Sequence, residues 1–544
     1  MFPNRMARWE ERVNVANSLF YGDNLDVMRA HFPDGCVDLV YLDPPFNSNA
    51  SYNILFRSPT GSDADAQVQA FEDSWHWNDA AEDAFDQVMQ SGHSKAFDLL
   101  AAFRSALGTN DMMAYLAMMA IRLIELHRVL KAEGSLYLHC DPTASHYLKL
   151  LLDAVFGAER FRNEITWKRT AAHSDGGRYG RNTDTILFYS KGAKPRWNPL
   201  FTPYEAEYAA RSRNRDPDGR LWMDDNLTAK GLSGGGYSYA YKGVTSYWRM
   251  PVETMERLDR EGRLHFTRTG GIRLKRYLDE ARGSPVQALW TDIPALNSQA
   301  QERLGYPTQK PIALLERIIA ASSDPGDLVL DPFCGCGTAV HAAEKLGRRW
   351  AGIDVTHLAI GLIEKRMRAA FPGVALRVEG TPRDCAAAAD LARRDPYQFQ
   401  WWAVAMIDAV PFGGRRKGAD GGIDGIIYFR PERRQTARAL VSVKSGERVG
   451  VGVVRDLHSA MERERAPIGV ILTRSPPSAP MLREAAALGR FHSEATGRSY
   501  ARMQILTVEE LFRGRRPDIP LVDHAAAFRT APRERAGGEQ AVLI

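Results

Sequence analysis

Cysteine is scarce in this sequence, with five scattered residues among 544. This excludes a disulfide-stapled secreted scaffold. Cys334 and Cys336 are the closest pair, but no second pair of cysteines or histidines lies near enough to complete a zinc site. No apolar run is long enough to span a bilayer, and the first dozen residues lack the apolar segment of a secretory signal. We therefore expect a cytoplasmic protein without a membrane partner.

Charge of one sign is not in excess either, since 71 Lys and Arg face 66 Asp and Glu, a net charge of +5. A nucleic-acid interface would have to be a local patch. The Gly-Lys-Ser/Thr signature of a phosphate-binding loop is absent, which disfavours a nucleotide-hydrolysing motor. The length exceeds what one hydrophobic core supports, so we expect several domains.

Strand and helix patterns alternate over residues 18 to 60 and 112 to 157, and again from residue 311 to residue 371. Such alternation predicts a mostly parallel sheet covered by helices, a Rossmann-like α/β fold. Residues 195–300 break the rhythm with Gly-rich, aromatic and basic material and read as an insertion. A second, smaller α/β block follows.

The predicted organisation has six parts. They are residues 1–194 and 301–380 as the two parts of one α/β domain, the insertion 195–300, an Ala/Arg/Asp-rich linker at 381–396, the second α/β domain at 397–520, and a loose tail at 521–544.

A glycine loop follows one predicted strand, in the stretch DPFCGCGTAV of residues 331 to 340. Gly335 and Gly337 let a ligand approach the backbone, and the following helix directs its N-terminal amides at it. A dinucleotide fingerprint would need glycine where Val340 stands, so NAD is disfavoured. The next strand ends in Asp354, placed to accept hydrogen bonds from a ribose. Asp331, the loop and Asp354 fit an adenosine ligand without pyrophosphate, for which S-adenosylmethionine is the obvious candidate.

A second loop, VYLDPPFNS at residues 40 to 48, holds a carboxylate directly before two prolines. An exocyclic amine on adenine or cytosine is a poor nucleophile, and Asp43 together with the Pro44 carbonyl could accept its two N–H groups and stabilise the forming cation. Pro44 and Pro45 stiffen the backbone. Phe46 could stack on a base swung out of the duplex. For an isolated triplet, a simple strand terminator is the commoner explanation.

Together these motifs resemble the β-group amino methyltransferases of DNA, including relatives of type III modification subunits. The resemblance rests on DPPF, then YPTQKP at residues 306 to 311, then DPFCGCG, with YGDNLDVM at residues 21 to 28. It implies catalytic roles for Asp43, Pro44 and Phe46. It also implies a cofactor site formed by Asp23, Thr308, Lys310, Asp331, Phe333, Gly335, Gly337 and Asp354.

An acid at position 43 favours adenine N6 over cytosine N4, where the family usually has serine. The expected reaction is methylation of adenine in double-stranded DNA for restriction–modification or defence. Cytosine-N4 methylation, a primary nuclease and a DNA-binding regulator on an inactive methylase fold stay open. A homodimer and a separate restriction or helicase subunit are possible partners.

The insertion falls where this family carries its target recognition domain. Side chains that can pair with base edges occur throughout it; the candidates are Arg211, Arg213, Arg215, Lys230, Arg273, Lys275 and Arg276. For any one of them, a solvated surface position is the simpler interpretation.

The C-terminal block carries GADGGIDGIIYF at residues 418 to 429 and ALVSVKSG at residues 439 to 446. This layout matches the restriction-endonuclease fold and resembles Mrr-like nuclease domains. Asp424 would bind a divalent metal such as Mg²⁺, and Lys444 would stabilise charge. Ser442 stands where a second acidic ligand is usual and is a weak ligand, with Asp420 and Gln400 as alternatives. A non-cleaving DNA clamp fits as well as a nuclease.

Overall fold

The computed structural model describes residues 17–45, 50–55, 67–73, 76–172, 176–229, 236–297, 300, 302–304, 306, 308–412, 422–432 and 436–520. Phe46, Lys230, Asp420 and the tail 521–544 lie outside them. Within the described residues, no helix is both long and apolar enough to cross a membrane.

The helices of the described residues have the following bounds: α1 Asn24–His31, α2 Asp79–Gln90, α3 Ser94–Leu107, α4 Asp111–Val129, α5 Ser145–Phe156, α6 Ala206–Ala209, α7 Val252–Arg260, α8 Ile312–Ser322, α9 Thr338–Lys345, α10 His357–Ala370, α11 Cys385–Arg394, α12 Pro396–Met406, α13 Gly452–Arg463, α14 Ala479–Ala487 and α15 Val508–Phe512. Two short 3₁₀ helices cover Ala158–Arg160 and Leu278–Glu280.

The strands have these bounds: β1 Ser18–Tyr21, β2 Val37–Leu42, β3 Ala50–Leu55, β4 Gln67–Asp73, β5 Leu130–Cys140, β6 Phe161–Lys168, β7 Thr183–Ser190, β8 Phe201–Thr202, β9 Asn214–Arg215, β10 Leu221–Asn226, β11 Tyr237–Tyr241, β12 Val244–Trp248, β13 Leu264–Phe266, β14 Ile272–Tyr277, β15 Ser284–Pro285, β16 Leu289–Trp290, β17 Leu328–Asp331, β18 Arg349–Asp354, β19 Arg377–Glu379, β20 Val410–Pro411, β21 Gly425–Phe429, β22 Ala437–Lys444, β23 Ile468–Thr473, β24 Arg490–Ser493, β25 Arg498–Ala501 and β26 Met503–Thr507.

A nine-stranded sheet forms the first core, in the order β16-β6-β7-β5-β2-β17-β18-β1-β19. Strands β5, β2, β17, β18 and β1 run parallel to their neighbours in this row, whereas β7 pairs antiparallel with β5 and β6. The central strands β2 and β17 are buried along their whole length, as their continuous apolar runs require in a sheet covered on both faces. The predicted mixed α/β architecture is confirmed.

The strand order changes direction between β2 and β17. After β2 the sheet continues outward through β5, and after β17 it continues through β18 on the other side. Ligands of open α/β sheets bind at such a point, beyond the carboxyl ends of the strands. The two loops singled out in the sequence follow these two neighbouring strands.

The chain divides into two compact units, of which Pro199–Gln287 forms the smaller. The antiparallel sheet β13-β14-β10-β9 and the hairpin β11-β12 build this unit. Its core contains Trp248, Met255, Leu258 and Ile272. The predicted insertion 195–300 is thus wider than the compact unit, because β16 at Leu289–Trp290 already belongs to the large sheet.

The C-terminal block forms a second sheet, β20-β21-β22-β23-β26, within the larger unit. Its core includes residues of the helix that follows β18: Leu358 and Leu362 of α10 lie in one buried cluster with Trp401 and Val410. The Gln398 side chain also accepts a hydrogen bond from the His357 N–H at the start of α10. The second sheet is therefore anchored on the helix that follows Asp354.

The segment 381–396, predicted as a linker, contains a helix in its central part. Helix α11 occupies Cys385–Arg394 and begins at Asp384, whose side chain accepts from the Ala387 N–H. Its small residues allow close packing, and Ala388 and Leu391 are buried in the C-terminal core. An alanine-rich run with an N-cap acid is a good helix former, and the charged residues between the alanines hid this in the sequence.

Candidate active site

A cleft lies at the carboxyl edge of the large sheet, where the loops after β1, β2, β17 and β18 meet. Most residues predicted for methyl transfer line it: Asp23, Asp43, Pro44, Pro45, Thr308, Lys310, Asp331, Phe333, Gly335 and Asp354. Gly337 is not part of the lining, and Phe46 lies outside the described residues. The cleft also includes side chains that the sequence interpretation missed, namely Tyr41, Asn24, Arg122 and Tyr306.

Asp43 forms an ion pair with Lys310. The Lys310 Nζ donates to Asp43 Oδ2 over 2.5 Å. The Lys310 side chain is 9% exposed and the Asp43 side chain is 17% exposed. Resemblance placed Lys310 beside the cofactor, but the structure places its ammonium on the candidate catalytic acid. Because Asp43 is mostly buried, the neighbouring positive charge offsets the cost of holding a carboxylate there.

Asp331 ends β17 beneath the glycine loop and is 4% exposed. Burial raises the pKa of its carboxyl well above the ordinary value, and the charges of Asp43 and Asp354 act in the same direction. The Phe333 N–H donates to Asp331 Oδ1 over 3.1 Å and opposes the shift. This carboxyl thus holds the turn that begins the glycine loop.

Asp354 at the end of β18 joins two loops of the cleft. Its Oδ2 accepts from the Gly335 N–H over 3.0 Å, and its Oδ1 accepts from the Thr356 N–H and hydroxyl over 2.9 and 2.8 Å. A carboxylate has about four acceptor positions, so roughly one is left for a ligand. Burial raises the pKa of Asp354 to about 6.

Arg122 connects the loop after β1 with the loop after β17. Its guanidinium donates to Asp23 Oδ2 and to Asn24 Oδ1, both over 2.6 Å. The Asn24 amide in turn donates to the Pro332 carbonyl over 2.9 Å. In the sequence Arg122 is visible only as a charge interrupting the apolar helix α4, and that interruption was the available signal.

Gly337 has a packing role. Its φ of +75° is in the left-handed region, and a Cβ atom there would lie 2.9 Å from Cγ1 and Cγ2 of Ile363. Gly337 itself lies between two residues of the lining, Cys336 and Thr338, and its role in binding the cofactor stays a prediction. Its flexibility lets the chain turn into α9 against α10.

We expect Gly337→Ala to destabilise the protein more than Gly347→Ala does, by about 1–3 kcal/mol. Both glycines have nearly the same positive φ, but a Cβ at Gly347 meets nothing within 4 Å. The backbone strain is therefore matched, and only the contact with Ile363 differs. Urea unfolding of the two variants measures the difference, and equal midpoints would show that Ile363 yields without cost.

The C-terminal residues predicted to form a nuclease site do lie together. Asp424 Oδ2 accepts from the Val443 N–H over 2.6 Å and from the Ser442 hydroxyl over 3.3 Å, and Lys444 Nζ is 4.0 Å away. The Val443 amide, not its carbonyl, faces the acid. Over the part of the chain that the structure describes, no cluster of three His, Cys, Asp or Glu is suited to a metal.

The basic candidates of the smaller unit differ in their surroundings. Lys275 donates to both carboxylate oxygens of Asp216 over 2.9 Å, and Tyr277 donates to the same acid, so Lys275 is a structural cross-link. Arg276 is paired with Asp225 over 2.5 Å. Arg213 and Arg215 are exposed.

Comparison with known proteins identifies the class to which this site belongs. The model of the N6/N4 DNA methylase family matches residues 37–365, more than half of the chain, so the chain belongs to that family. This confirms the resemblance to amino methyltransferases of DNA. A model described as a NACHT-associated inactive restriction endonuclease matches residues 409–512. The Mrr-like assignment itself stays a prediction.

Individual relatives include type II and type III enzymes. The type II methyltransferase M.EcaI of Enterobacter cloacae is 36% identical over 46% of this chain and 57% of its own. The StyLTI Mod subunit of Salmonella typhimurium, a type III restriction-modification enzyme, is 30% identical over 63% of this chain and 52% of its own. This chain thus spans little more than half the length of either. The DNA adenine methyltransferase YhdJ of Escherichia coli is 24% identical over 64% of this chain and 82% of its own.

Among solved structures, a DNA modification methylase of Thermus thermophilus, TTHA0409, complexed with S-adenosyl-L-methionine, aligns over 66% of this chain and 97% of its own. Its identity is 17% and its TM-score 0.33.

Proposed function

We propose that the protein is a site-specific DNA methyltransferase that transfers a methyl group from S-adenosylmethionine to the N6 amine of adenine in double-stranded DNA. The observation that carries this proposal is the position of the DPP loop and the glycine loop on the adjacent strands β2 and β17, facing one cleft. A residue that activates an amine and a loop that binds the methyl donor must be neighbours.

The residues of the cleft fit this donor by the hydrogen-bond acceptors they offer. Asp23, Asp331 and Asp354 all line it. Asp354 keeps about one acceptor position for a hydroxyl donor of this ligand. The methyl group is the chemistry that S-adenosylmethionine supplies when bound.

Residues of the DPP loop would accept the two N–H groups of the target amine. Because Asp43 Oδ2 accepts the Lys310 ammonium, we assign Oδ1 to one N–H of the target amine. We assign the Pro44 carbonyl, which lines the same cleft, to the other. Two acceptors fixed at this position stabilise the positive charge that develops on nitrogen as it is alkylated.

Nucleoside mass spectrometry tests the proposal directly. Unmethylated genomic DNA is incubated with the protein and S-adenosylmethionine in the presence of EDTA. N6-methyladenine is the expected product. N4-methylcytosine would keep the mechanism and correct the base, and no methylated base would overturn the proposal.

Affinity for S-adenosylmethionine should rise up to about tenfold between pH 5 and pH 7, since a group with a pKa near 6 is about one-tenth ionised at the lower pH and nine-tenths at the higher. The ionised Asp354 is the better acceptor for a ribose hydroxyl. The stability of the ligand-free protein should change with pH in the opposite direction. Because the pKa of Asp354 is raised in the folded protein, the protonated group favours the folded state below about pH 4, and this contribution is lost as pH rises through 6. Isothermal titration calorimetry measures the affinity.

The matched variant is Asp354→Asn, which keeps an oxygen acceptor but cannot titrate. Its affinity should be weaker at pH 7 and should change less between the two pH values. An equal slope in both proteins would assign the pH dependence to another group of the cleft, such as Asp331.

We propose that the C-terminal domain holds DNA or a partner without cutting DNA. Asp424 already accepts from a backbone amide and a hydroxyl, and Ser442 replaces the second acid. The inactive endonuclease family that matches this region supports the proposal. Supercoiled plasmid with the protein and Mg²⁺ should remain uncut. Nicking that disappears in both Asp424→Ala and Lys444→Ala would instead establish a second activity.

The biological setting we propose is restriction–modification. The type II and type III relatives support it by their names. A separate restriction subunit and a homodimer remain predictions, and mass photometry of the protein with and without DNA would test the second.

A further inference from the structure

Three polar side chains form a buried chain behind the cleft, on the neighbouring strands β2, β5 and β7. The Tyr41 hydroxyl lies 3.1 Å from His139 Nδ1, and His139 Nε2 lies 3.1 Å from Asp184 Oδ2. Tyr41 is 2% exposed, His139 is not exposed and Asp184 is 1% exposed. Tyr41 also lines the cleft, two residues before Asp43.

Burying this row of three polar side chains costs free energy of folding. A carboxylate and an imidazole are removed from water, and Asp184 Oδ1 accepts no hydrogen bond from any residue in the described ranges. The Arg169 Nε atom is 3.5 Å from that oxygen. Apolar residues of similar volume would fill the space between the strands at lower cost. Such a cost is expected at functional sites.

The charge state of Asp184 determines which atom donates in each of the two hydrogen bonds. Burial pushes the pKa of Asp184 up, but the hydrogen bond from His139 and the positive charges of Lys310 and Arg169 bring it below the ordinary value. An ionised carboxylate only accepts, so His139 Nε2 carries a hydrogen. In the neutral ring Nδ1 is then an acceptor, and the Tyr41 hydroxyl donates to it. The lone pairs of the tyrosine oxygen are left for the cleft.

Tyr41 and Asp43 lie close together in sequence at the carboxyl end of β2. Tyr41 lies in β2, Asp43 is the first residue after that strand, and both residues line the same cleft. Burial, followed by the charges of Asp43, Asp331 and Asp184, raises the pKa of Tyr41 well above its ordinary value. The hydroxyl therefore keeps its proton while the cleft is at rest.

We propose that Tyr41, His139 and Asp184 form a proton relay that removes the proton lost by the target amine, an inference that rests on the proposed methyl transfer. After alkylation the amine nitrogen has one proton in excess. Lys310, which contacts Asp43 Oδ2, is an ammonium and cannot accept it. A route away from Asp43 must therefore lead through a different group.

The steps balance as follows. The amine N–H bond breaks and an O–H bond forms on Asp43. That proton passes to the Tyr41 oxygen while the original hydroxyl proton moves to His139 Nδ1. One N–H bond has been lost by the amine and one gained by the imidazole, which becomes an imidazolium beside the Asp184 carboxylate. Asp43 and Tyr41 return to their starting states. When the product leaves, the buried imidazolium returns its proton through Tyr41 to water in the cleft.

The groups that face the relay come from several elements. Asp43 lies after β2 and Asp331 ends β17, and both act on Tyr41. Lys310 precedes α8, and Arg169 follows β6; both act on Asp184. The Trp167 ring of β6 packs edge-on against His139 at 5.8 Å between ring centroids. The two cations hold the relay's terminal carboxylate ionised, so the imidazolium that forms on His139 has a counter-ion in contact.

Tyr41→Phe tests the relay, because it removes only the hydroxyl. The readouts are the single-turnover methyl-transfer rate, the KM for DNA, and the rate in mixtures of H₂O and D₂O. We expect a rate decrease of roughly 100-fold with KM within about twofold. The curved dependence on deuterium fraction that indicates several moving protons should become linear. His139→Gln and Asp184→Asn should behave alike.

Tyr189→Phe is the matched control. Tyr189 is also buried in the large sheet and its hydroxyl donates to Asp153 over 2.7 Å, but it does not line the cleft. Its removal should leave the rate and the deuterium dependence unchanged. If Tyr41→Phe keeps the wild-type rate and curvature, or changes KM alone, the relay is overturned and the proposed methyl transfer stands. If the wild-type protein methylates no base at all, the proposed function fails and the relay with it.

Discussion

Replacing Asp43 by alanine should lower single-turnover methyl transfer by about 10²- to 10³-fold or more, the effect of removing one preorganised group that stabilises transition-state charge. The binding of S-adenosylmethionine should stay within a few-fold of the wild-type value. Asp43 lies after β2, whereas the glycine loop and Asp354 follow β17 and β18. The variant therefore separates activation of the amine from binding of the donor.

Two measurements are needed for this result. Transfer of a radiolabelled methyl group to DNA gives the rate under single-turnover conditions, and calorimetry gives the affinity for S-adenosylmethionine. Asp43→Asn is the informative companion, because it keeps the shape and one oxygen acceptor but loses the charge. We expect it to be nearly as inactive as Asp43→Ala. A variant of either kind with near-normal turnover would remove Asp43 from the mechanism.

The location of the site could be predicted from the sequence because it depends on local patterns. Asp43 and Asp331 each follow a short apolar run that reads as a buried strand, and parallel strands bring their carboxyl ends to one edge. That reasoning requires only periodicity and strand direction. The adjacency of β2 and β17 in the sheet then places both loops in the same cleft.

The partners of these residues could not be predicted in the same way, because they are distant in sequence. Arg122 contacts Asp23 across 99 positions. His139 contacts Tyr41 across 98. Each side chain, taken alone, reads as an ordinary polar residue in an apolar segment. Only the register of the sheet and the packing of α4 bring them together.

Two further residues have structural contacts that their sequence motifs do not reveal. Gly337 stands in a cofactor motif, but its missing Cβ is required by Ile363 on the next helix. Lys275 stands in a basic segment suited to DNA, but Asp216, 59 positions earlier, uses its ammonium as a cross-link. In both cases the residue type was read correctly, but the residue it contacts lies far away in the sequence and could not be predicted.

Lys310→Met should destabilise the fold by about 3–5 kcal/mol, the cost of leaving one partner of a buried ion pair without its counter-ion. Lys310 Nζ and Asp43 Oδ2 are 2.5 Å apart, and both side chains are largely shielded from water. The same change should lower methyl transfer, because the carboxylate loses the contact that orients it. Urea unfolding followed by circular dichroism gives the stability.

Lys345→Met is the control for the loss of a lysine as such. Lys345 pairs with Glu316 over 2.8 Å, but its side chain is 40% exposed. Exposed pairs of this kind contribute at most about 1 kcal/mol. A similar loss of stability in both variants would mean that the Lys310 pair is no more strongly coupled than a surface contact.

The double variant Asp43→Asn/Lys310→Met decides whether the two residues act on each other. If the ion pair is the cause, the double variant should be more stable than the sum of the two single losses predicts, by roughly 1–3 kcal/mol, because neither charge is then left without its partner. Additive losses would instead mean that Lys310 stabilises the cleft through its other contacts. Methyl transfer should stay absent in the double variant in either case. Restored stability without restored activity would therefore show two things. The ion pair stabilises the fold, and the Asp43 carboxylate is needed for the reaction itself.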